Sequence, residues 1–234
     1  MADPTESQHP LLVTAAWLAE QPADAGLVII DCSEPDAYRR AHIPGAVSIG
    51  HRPITLKSAA NSRLVMETDE FESLARRLGL SNDSSVILYD DSRSLNAARV
   101  WWVFERFGLS NVRVLDGGFN AWLDEGRPLT SRAARPEAGD FTAVVDDSHH
   151  CRIDDLRGAV GTGSLQIWDV RSEGEWLGTN DRGNARAGHV PGAVWLEWTE
   201  LLEEPPGGRF RALDEMRQIL VTAGIDPEAE TVSY

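Results

Sequence analysis

Cysteine is scarce in this chain. Its two thiols, Cys32 and Cys151, stand far apart in 234 residues and form no close-spaced motif, too few for a disulfide framework. Long apolar runs are missing as well: none approaches the roughly 20 residues of a membrane span, so no membrane partner is expected. Residues 1–10 are polar, carry Asp3 and Glu6, and have neither a basic region nor an apolar core, which argues against a secretory signal. A cytoplasmic location fits these absences. Basic charge is the third shortage. Against 37 Asp and Glu there are 22 Lys and Arg, a formal net charge of -15 that excludes the basic stripe nucleic acid requires. The same imbalance has a local consequence. An acidic protein that handles a small anion must build a positive pocket against its own field, so clustered arginines should mark its site.

What the chain does have is an internal repeat. Gly188-His189-Val190-Pro191-Gly192-Ala193-Val194 repeats Ala41-His42-Ile43-Pro44-Gly45-Ala46-Val47 with five of seven positions identical. Each copy follows a short apolar run ending in aspartate, Leu27-Val28-Ile29-Ile30-Asp31 before the first and Leu165-Gln166-Ile167-Trp168-Asp169 before the second. The spacing is 138 residues from Asp31 to Asp169 but 147 from His42 to His189, so the second copy carries nine extra residues, around 178–186. A further echo sets Val86-Ile87-Leu88-Tyr89 against Thr231-Val232-Ser233-Tyr234, 145 residues on. Composition is ordinary for a globular chain, 42% hydrophobic and 25% charged. The repeat divides it into a domain over 1–126, a linker over 127–150 rich in proline, glycine and small residues, and a domain over 151–234.

Apolar patterning alternates strand and helix. Runs at 27–30, 46–49, 85–89 and 112–115 read as strands, the first apolar throughout and so buried on both faces. Residues 69–78 place Phe71, Leu74, Ala75 and Leu78 at i, i+3, i+4 and i+7, with Thr68 as cap and Gly79 as stop. Thr14 caps a short helix through Glu20, 97–107 forms a bulky helix closed by Gly108, and 119–125 a short helix carrying Trp122. The second copy restarts with a helix over 153–160, strands at 165–169 and 193–196, a helix over 213–223 stopped by Gly224, and a strand at 231–234. The fold class is therefore α/β: in each domain a mostly parallel sheet covered by helices on both faces, with ligands at the carboxyl ends of the strands. Measured against the first copy, the second lacks a junction loop, a large helix, a strand and a final helix. It is expected to be incomplete in this chain.

Together the twin His-x-Pro-Gly-Ala turns, the strand ending at Tyr89, Ala98-Arg99-Val100-Trp101-Trp102 and Asp116-Gly117-Gly118-Phe119-Asn120-Ala121-Trp122 resemble the rhodanese family. The arrangement is similar to its two-domain thiosulfate and 3-mercaptopyruvate sulfurtransferases, whose first domain is inactive and whose second carries a catalytic cysteine. The resemblance implies tandem rhodanese-like domains and transfer of a sulfane sulfur from a small anionic donor, thiosulfate or 3-mercaptopyruvate, to a thiol or cyanide acceptor through a cysteine persulfide. It implies no cofactor and no metal. The family's nucleophile opens the loop after the strand that here ends at Tyr234. A catalytic residue is thus expected directly after Tyr234 and none within this chain, which makes the remaining C-terminal segment of the same protein an expected partner. In the first copy that loop begins with Asp90 and Asp91, which form no persulfide and are read as capping the next helix.

For the second copy the resemblance implies Arg182 and Arg186, in the insertion, as binders of the donor's charged group. Asp169, Arg171 and His189 are read as supports: an Asp-x-Arg ion pair that fixes the loop and a histidine that orders the turn. The family often places an arginine where Glu175 stands, a departure that bears on anion recognition. Asp31 and His42 are outside candidates, because a first-domain Asp and His reach the cleft in some mercaptopyruvate enzymes. Cys32 aligns with Val170 and is read as filling a small buried space. His149, His150 and Cys151 are not read as a metal site, since adjacent histidines point differently and no fourth ligand completes the set. The eight tryptophans are read as packing in the core and between domains. Two other functions compete: a noncatalytic rhodanese-like binding or regulatory module, if both loops lack a thiol, and a phosphatase, which would need a longer cysteine loop able to wrap a phosphate.

Overall fold

A computed structural model describes residues 9–22, 26–50, 65–204 and 208–234. The chain forms two compact units, one of residues 1–149 with 204–209 and one of 150–203 with 210–234.

In the first unit five parallel strands lie in the order β1-β5-β4-β2-β3. They are β1 (Leu12–Val13), β2 (Leu27–Asp31), β3 (Val47–Ser48), β4 (Ser85–Tyr89) and β5 (Val112–Leu115). Five helices connect them: α1 (Ala15–Glu20), α2 (Pro35–Arg40), α3 (Thr68–Arg77), α4 (Leu95–Arg106) and α5 (Gly118–Asp124). Alternation along β4 explains why the whole run is apolar. Val86 and Leu88 enter one buried cluster with Phe71, Leu74 and Ala75 of α3 and Val100, Val103 and Phe104 of α4. Ile87 and Tyr89 enter the opposite cluster with Ala15 and Leu18 of α1 and Trp122 of α5. A strand buried on both faces has no polar side to show.

Local signals set the ends. Thr14 Oγ1 accepts the Trp17 N–H at 3.0 Å to start α1. The start of α3 lies one residue before the expected one, because Glu67 is its cap and closes a capping box with Glu70. β1 carries no pattern that distinguishes it, since two residues are too few for a period; it forms by pairing Leu12 and Val13 with Val114 and Leu115.

Residues 127–149, the connecting stretch in sequence, pack onto the first unit. Phe141 is fully buried beside the Phe71 ring, 5.6 Å between centroids, and its carbonyl accepts the Arg76 Nε–H at 2.9 Å. His42 and Thr130 form an isolated antiparallel bridge.

The second unit has three parallel strands in the order β7-β6-β8: β6 (Gln166–Asp169), β7 (Val194–Trp195) and β8 (Thr231–Ser233). With them are α6 (Ile153–Ala159), α7 (Glu173–Trp176), a 3-10 turn at Trp198–Leu201 and α8 (Leu213–Ala223). The duplication holds to the residue. Ile30 pairs with Val47 and Leu88, and Trp168, its repeat partner, pairs with Val194 and Ser233. Burial is not duplicated. Among the described residues, Ile167, Leu202 and Ile225 are the buried hydrophobics of this unit, and α8 buries none. Of the eight tryptophans Trp122 alone is buried; the others are half-buried. No helix among the described residues is long and apolar enough to cross a membrane.

Candidate functional site

Parallel strands bring their carboxyl ends to one edge, and in both units an aspartate stands there beside a tyrosine. Asp31, 2% exposed, accepts the Ser33 N–H at 2.8 Å and the Tyr89 hydroxyl at 2.7 Å. The Tyr89 oxygen in turn accepts the Ile43 N–H at 3.2 Å. Asp169, fully buried, accepts the Arg171 N–H at 3.0 Å and the Tyr234 hydroxyl at 2.8 Å, and the Tyr234 oxygen accepts the Val190 N–H at 2.9 Å. Each Pro-Gly turn is thus wired through a tyrosine to the strand end. Gly45 and Gly192 both sit at φ +83, a conformation that costs a side chain and suits glycine.

The copies differ two residues past the aspartate. Arg171 donates to both Asp169 oxygens, from Nε at 2.9 Å and Nη2 at 2.5 Å, and also to the Gly188 carbonyl at 2.9 Å. Its guanidinium lies 4.9 Å from the centre of the Tyr234 ring. The first copy has Ser33 at this place. Burial therefore raises the Asp31 carboxyl above its ordinary range, against the pull of Tyr89 and Ser33. Burial pushes Asp169 the same way, but hydrogen bonds from Arg171 and Tyr234 outweigh it and hold that carboxyl below the usual range.

Each turn histidine stacks on an aromatic residue of the preceding helix and bonds that residue's carbonyl. His42 stacks on Tyr38 at 3.8 Å with Nδ1 2.7 Å from the Tyr38 carbonyl; His189 stacks on Trp176 at 3.5 Å with Nδ1 2.9 Å from the Trp176 carbonyl. A proton on Nδ1 completes the bond in each case.

The loop after β4 is the part of the carboxyl edge that only the first unit carries among the described residues. Asp90, 1% exposed, accepts the N–H groups of Ser92 (2.7 Å) and Ser94 (2.9 Å) on one oxygen and of Asn96 (2.7 Å) and Ala97 (2.8 Å) on the other. Four amides converge on one anion, two from the first turn of α4, whose positive dipole end faces the same carboxylate. Burial nonetheless raises the Asp90 carboxyl above its ordinary value. To form the loop, Arg93 and Ser94 adopt left-handed φ of 59 and 67. Gly118 sits against the Asp90 carbonyl so closely that a Cβ there would lie 2.3 Å from the oxygen. Asp91 is exposed and accepts the Ser92 hydroxyl.

In the insertion, Arg182 has φ +50 and places Nη2 3.3 Å from the Glu175 carboxylate, which also accepts the Ser172 hydroxyl. Glu175 thus balances the charge of Arg182. Arg186 is exposed and makes no hydrogen bond or ion pair among the described residues. The structure brings together Asp169, Arg171 and His189 around the turn, and sets Arg182 and Arg186 on the exposed loop beside it. Tyr38 and Trp176 belong to these assemblies and have no part in the sequence reading, which names Tyr89 and Tyr234 as strand ends only. A signal existed: an aromatic residue stands seven positions after the strand aspartate in both copies.

Cys32 is buried and its thiol is pushed well above the ordinary range by burial and by Asp90 and Asp31. Cys151 is half-buried, and no group of three or more metal-binding side chains gathers among the described residues. A cavity of about 100 Å3 opens in the first unit, lined by Asp31, Ser33, Ala37, Arg40, Ala41, Asp91 and Phe119.

Known proteins supply the context for this geometry. A family model, the rhodanese-like domain, matches residues 14–125. A thiosulfate sulfurtransferase of Corynebacterium glutamicum is 31% identical over 98% of this chain and 78% of its own length, and one of Gallus gallus is 32% identical over 92% and 78%. The crystal structure of the 3-mercaptopyruvate sulfurtransferase SseA of Escherichia coli superposes with a TM-score of 0.84 at 28% identity, covering 95% of this chain and 87% of SseA.

Proposed function

The chain belongs to the rhodanese-type sulfurtransferases, and from that premise we propose that it moves a sulfane sulfur from thiosulfate or 3-mercaptopyruvate to a thiol or cyanide through a persulfide formed on a cysteine directly after Tyr234. The observation that carries this reading is the Asp90 cradle. Asp90 directly follows Tyr89, the repeat partner of Tyr234, and the two tyrosines share one pattern of bonds to aspartate and turn. The position after the tyrosine is therefore a seat for an anion, built from loop amides and a helix N-terminus. In the first copy a carboxylate occupies it. In the second, the same seat would hold a thiolate and then a persulfide.

With thiosulfate the chemistry runs in two displacements. The thiolate attacks the outer sulfur, the S–S bond of thiosulfate breaks, and sulfite departs with the electron pair; the acceptor then attacks the outer sulfur of the persulfide and releases the thiolate. With 3-mercaptopyruvate the C–S bond breaks instead, and the departing pyruvate enolate takes a proton at carbon. Arg186 and, less so, Arg182 would meet the donor's negative group, while Asp169, Arg171 and His189 hold the loop and turn. On this reading the domains are 1–126 and 151–234 joined by 127–150, the loop after Tyr234 lies in a further C-terminal segment, the setting is cytoplasmic, and neither nucleic acid nor membrane is a partner.

Thiosulfate incubation followed by peptide mass mapping tests it, on protein that includes that loop. One added sulfur atom is expected on the residue after Tyr234, together with thiocyanate on addition of cyanide. No sulfur gain, or a noncysteine residue there, overturns the enzymatic reading in favour of a noncatalytic binding module.

A further inference from the structure

The cavity of the first unit lies where the second unit keeps a cation. Three of its lining residues, Asp31, Ser33 and Ala41, are the repeat partners of Asp169, Arg171 and Gly188. In the second unit those are the carboxylate, the guanidinium bearer and the carbonyl that receives it. In the first unit the carboxylate and the turn are kept, with the same bonds to tyrosine and backbone, while the arginine is a serine. The cavity at this place has a volume of about 100 Å3, several times the 10–15 Å3 or so that one water needs. Asp91 and Arg40, of opposite charge, stand at its lining, so the buried Asp31 sets the sign.

We propose that this cavity binds a guanidinium group from outside the chain, seated against Asp31 and Ala41 as the Arg171 guanidinium is seated against Asp169 and Gly188. A planar cation with forked donors matches a carboxylate edge and an adjacent carbonyl, which a spherical ammonium does less well. The aromatic Phe119 in the lining offers a surface on which such a plane can rest. The elevated Asp31 carboxyl beside the depressed Asp169 carboxyl fits an acid whose cation has been removed. The occupant is either a free guanidino compound or an arginine side chain of a peptide.

Titration of the whole protein with methylguanidine, followed by amide chemical shifts, tests the site. Saturable shifts are expected at Asp31, Ser33, Ala41 and Phe119, with methylammonium at least about tenfold weaker. Ser33→Arg supplies the cation from within and should abolish the response, whereas Ser33→Ala should keep it. Asp31→Asn should lose it too, and Ser33→Arg covers the case in which that variant fails to fold. Absence of saturable shifts, equal binding of methylammonium, or an undiminished response in Ser33→Arg overturns the proposal. Arginine as the free amino acid and within a blocked tripeptide separates the two sources: tighter binding of the first assigns a small molecule, of the second a peptide.

Discussion

Arg171 bonds the strand-end carboxylate of Asp169 and the Gly188 carbonyl of the turn. Its removal leaves Asp169, fully buried, without its counter-charge, and breaking a buried pair costs about 3–5 kcal/mol; because Arg171 remains a quarter exposed, Arg171→Ala should sit near about 3 kcal/mol in urea unfolding. The pH dependence has a definite sign. Asp169 is held below its unfolded value of about 3.9, so its contribution is complete above pH 4 or so and disappears as pH falls through the folded value. The gap between wild type and Arg171→Ala should therefore close in acid and stay open at neutral pH. Asp31 and Asp90 have the opposite sign: their raised carboxyls reduce stability as pH rises from about 4 through their folded values. On the proposed function, donor binding should separate the two insertion arginines. With Glu175 already balancing Arg182, steady-state kinetics should show Arg186→Ala raising KM for an anionic donor about tenfold, near 1.4 kcal/mol, and Arg182→Ala raising it less.

The loop between β4 and α4 is a joint of backbone and side chain. Gly118 closes it from the opposite element: the Phe119 N–H donates to the Asp90 carbonyl at 2.8 Å, and Gly118 has φ +55. Gly118→Ala brings a Cβ against that carbonyl in a conformation that already disfavours a side chain. A loss of more than about 3 kcal/mol is expected by thermal unfolding, with the loop amides of Ser92 and Ser94 shifted in NMR spectra. Elements of this kind divide what is legible in sequence from what is not. α8 and its Gly224 stop, the Thr14 cap and the helix at Phe71 were readable because periodicity and capping are local. The capping role of Asp90 was readable too; its convergence with four amides was not, since it depends on two left-handed residues, Arg93 and Ser94, whose types carry no such signal. The Asp169–Arg171 pair could be read from adjacency, but the reach of Arg171 to Gly188 crosses a turn. The neutralisation of Arg182 by Glu175 likewise comes from the fold of the insertion.

At the scale of the molecule, one sequence pattern has been built to two depths. Ile87 and Val232 hold the same register, opposite Ile29 and Ile167, yet Ile87 is fully buried and Val232 half-buried. β4 has a strand on each side, whereas among the described residues β8 has one on one side only. Local opening follows burial. Native-state hydrogen exchange should therefore find the Val232 amide exchanging more than tenfold faster than that of Ile87, about 1.4 kcal/mol or more in opening free energy. Equal protection would contradict the unequal cores.

The occupied seat in the first unit has a consequence for oxidative chemistry. A carboxylate in an amide cradle offers peroxide no electron pair on sulfur, and the one thiol of that unit, Cys32, is buried with its pKa driven up, which suppresses the thiolate that oxidants attack. The first unit should emerge from mild peroxide treatment without sulfenic or sulfinic acid at Cys32, readable by thiol-specific mass labelling after unfolding. If the second copy carries the proposed persulfide, the first can keep its shape under the same conditions that would spoil it.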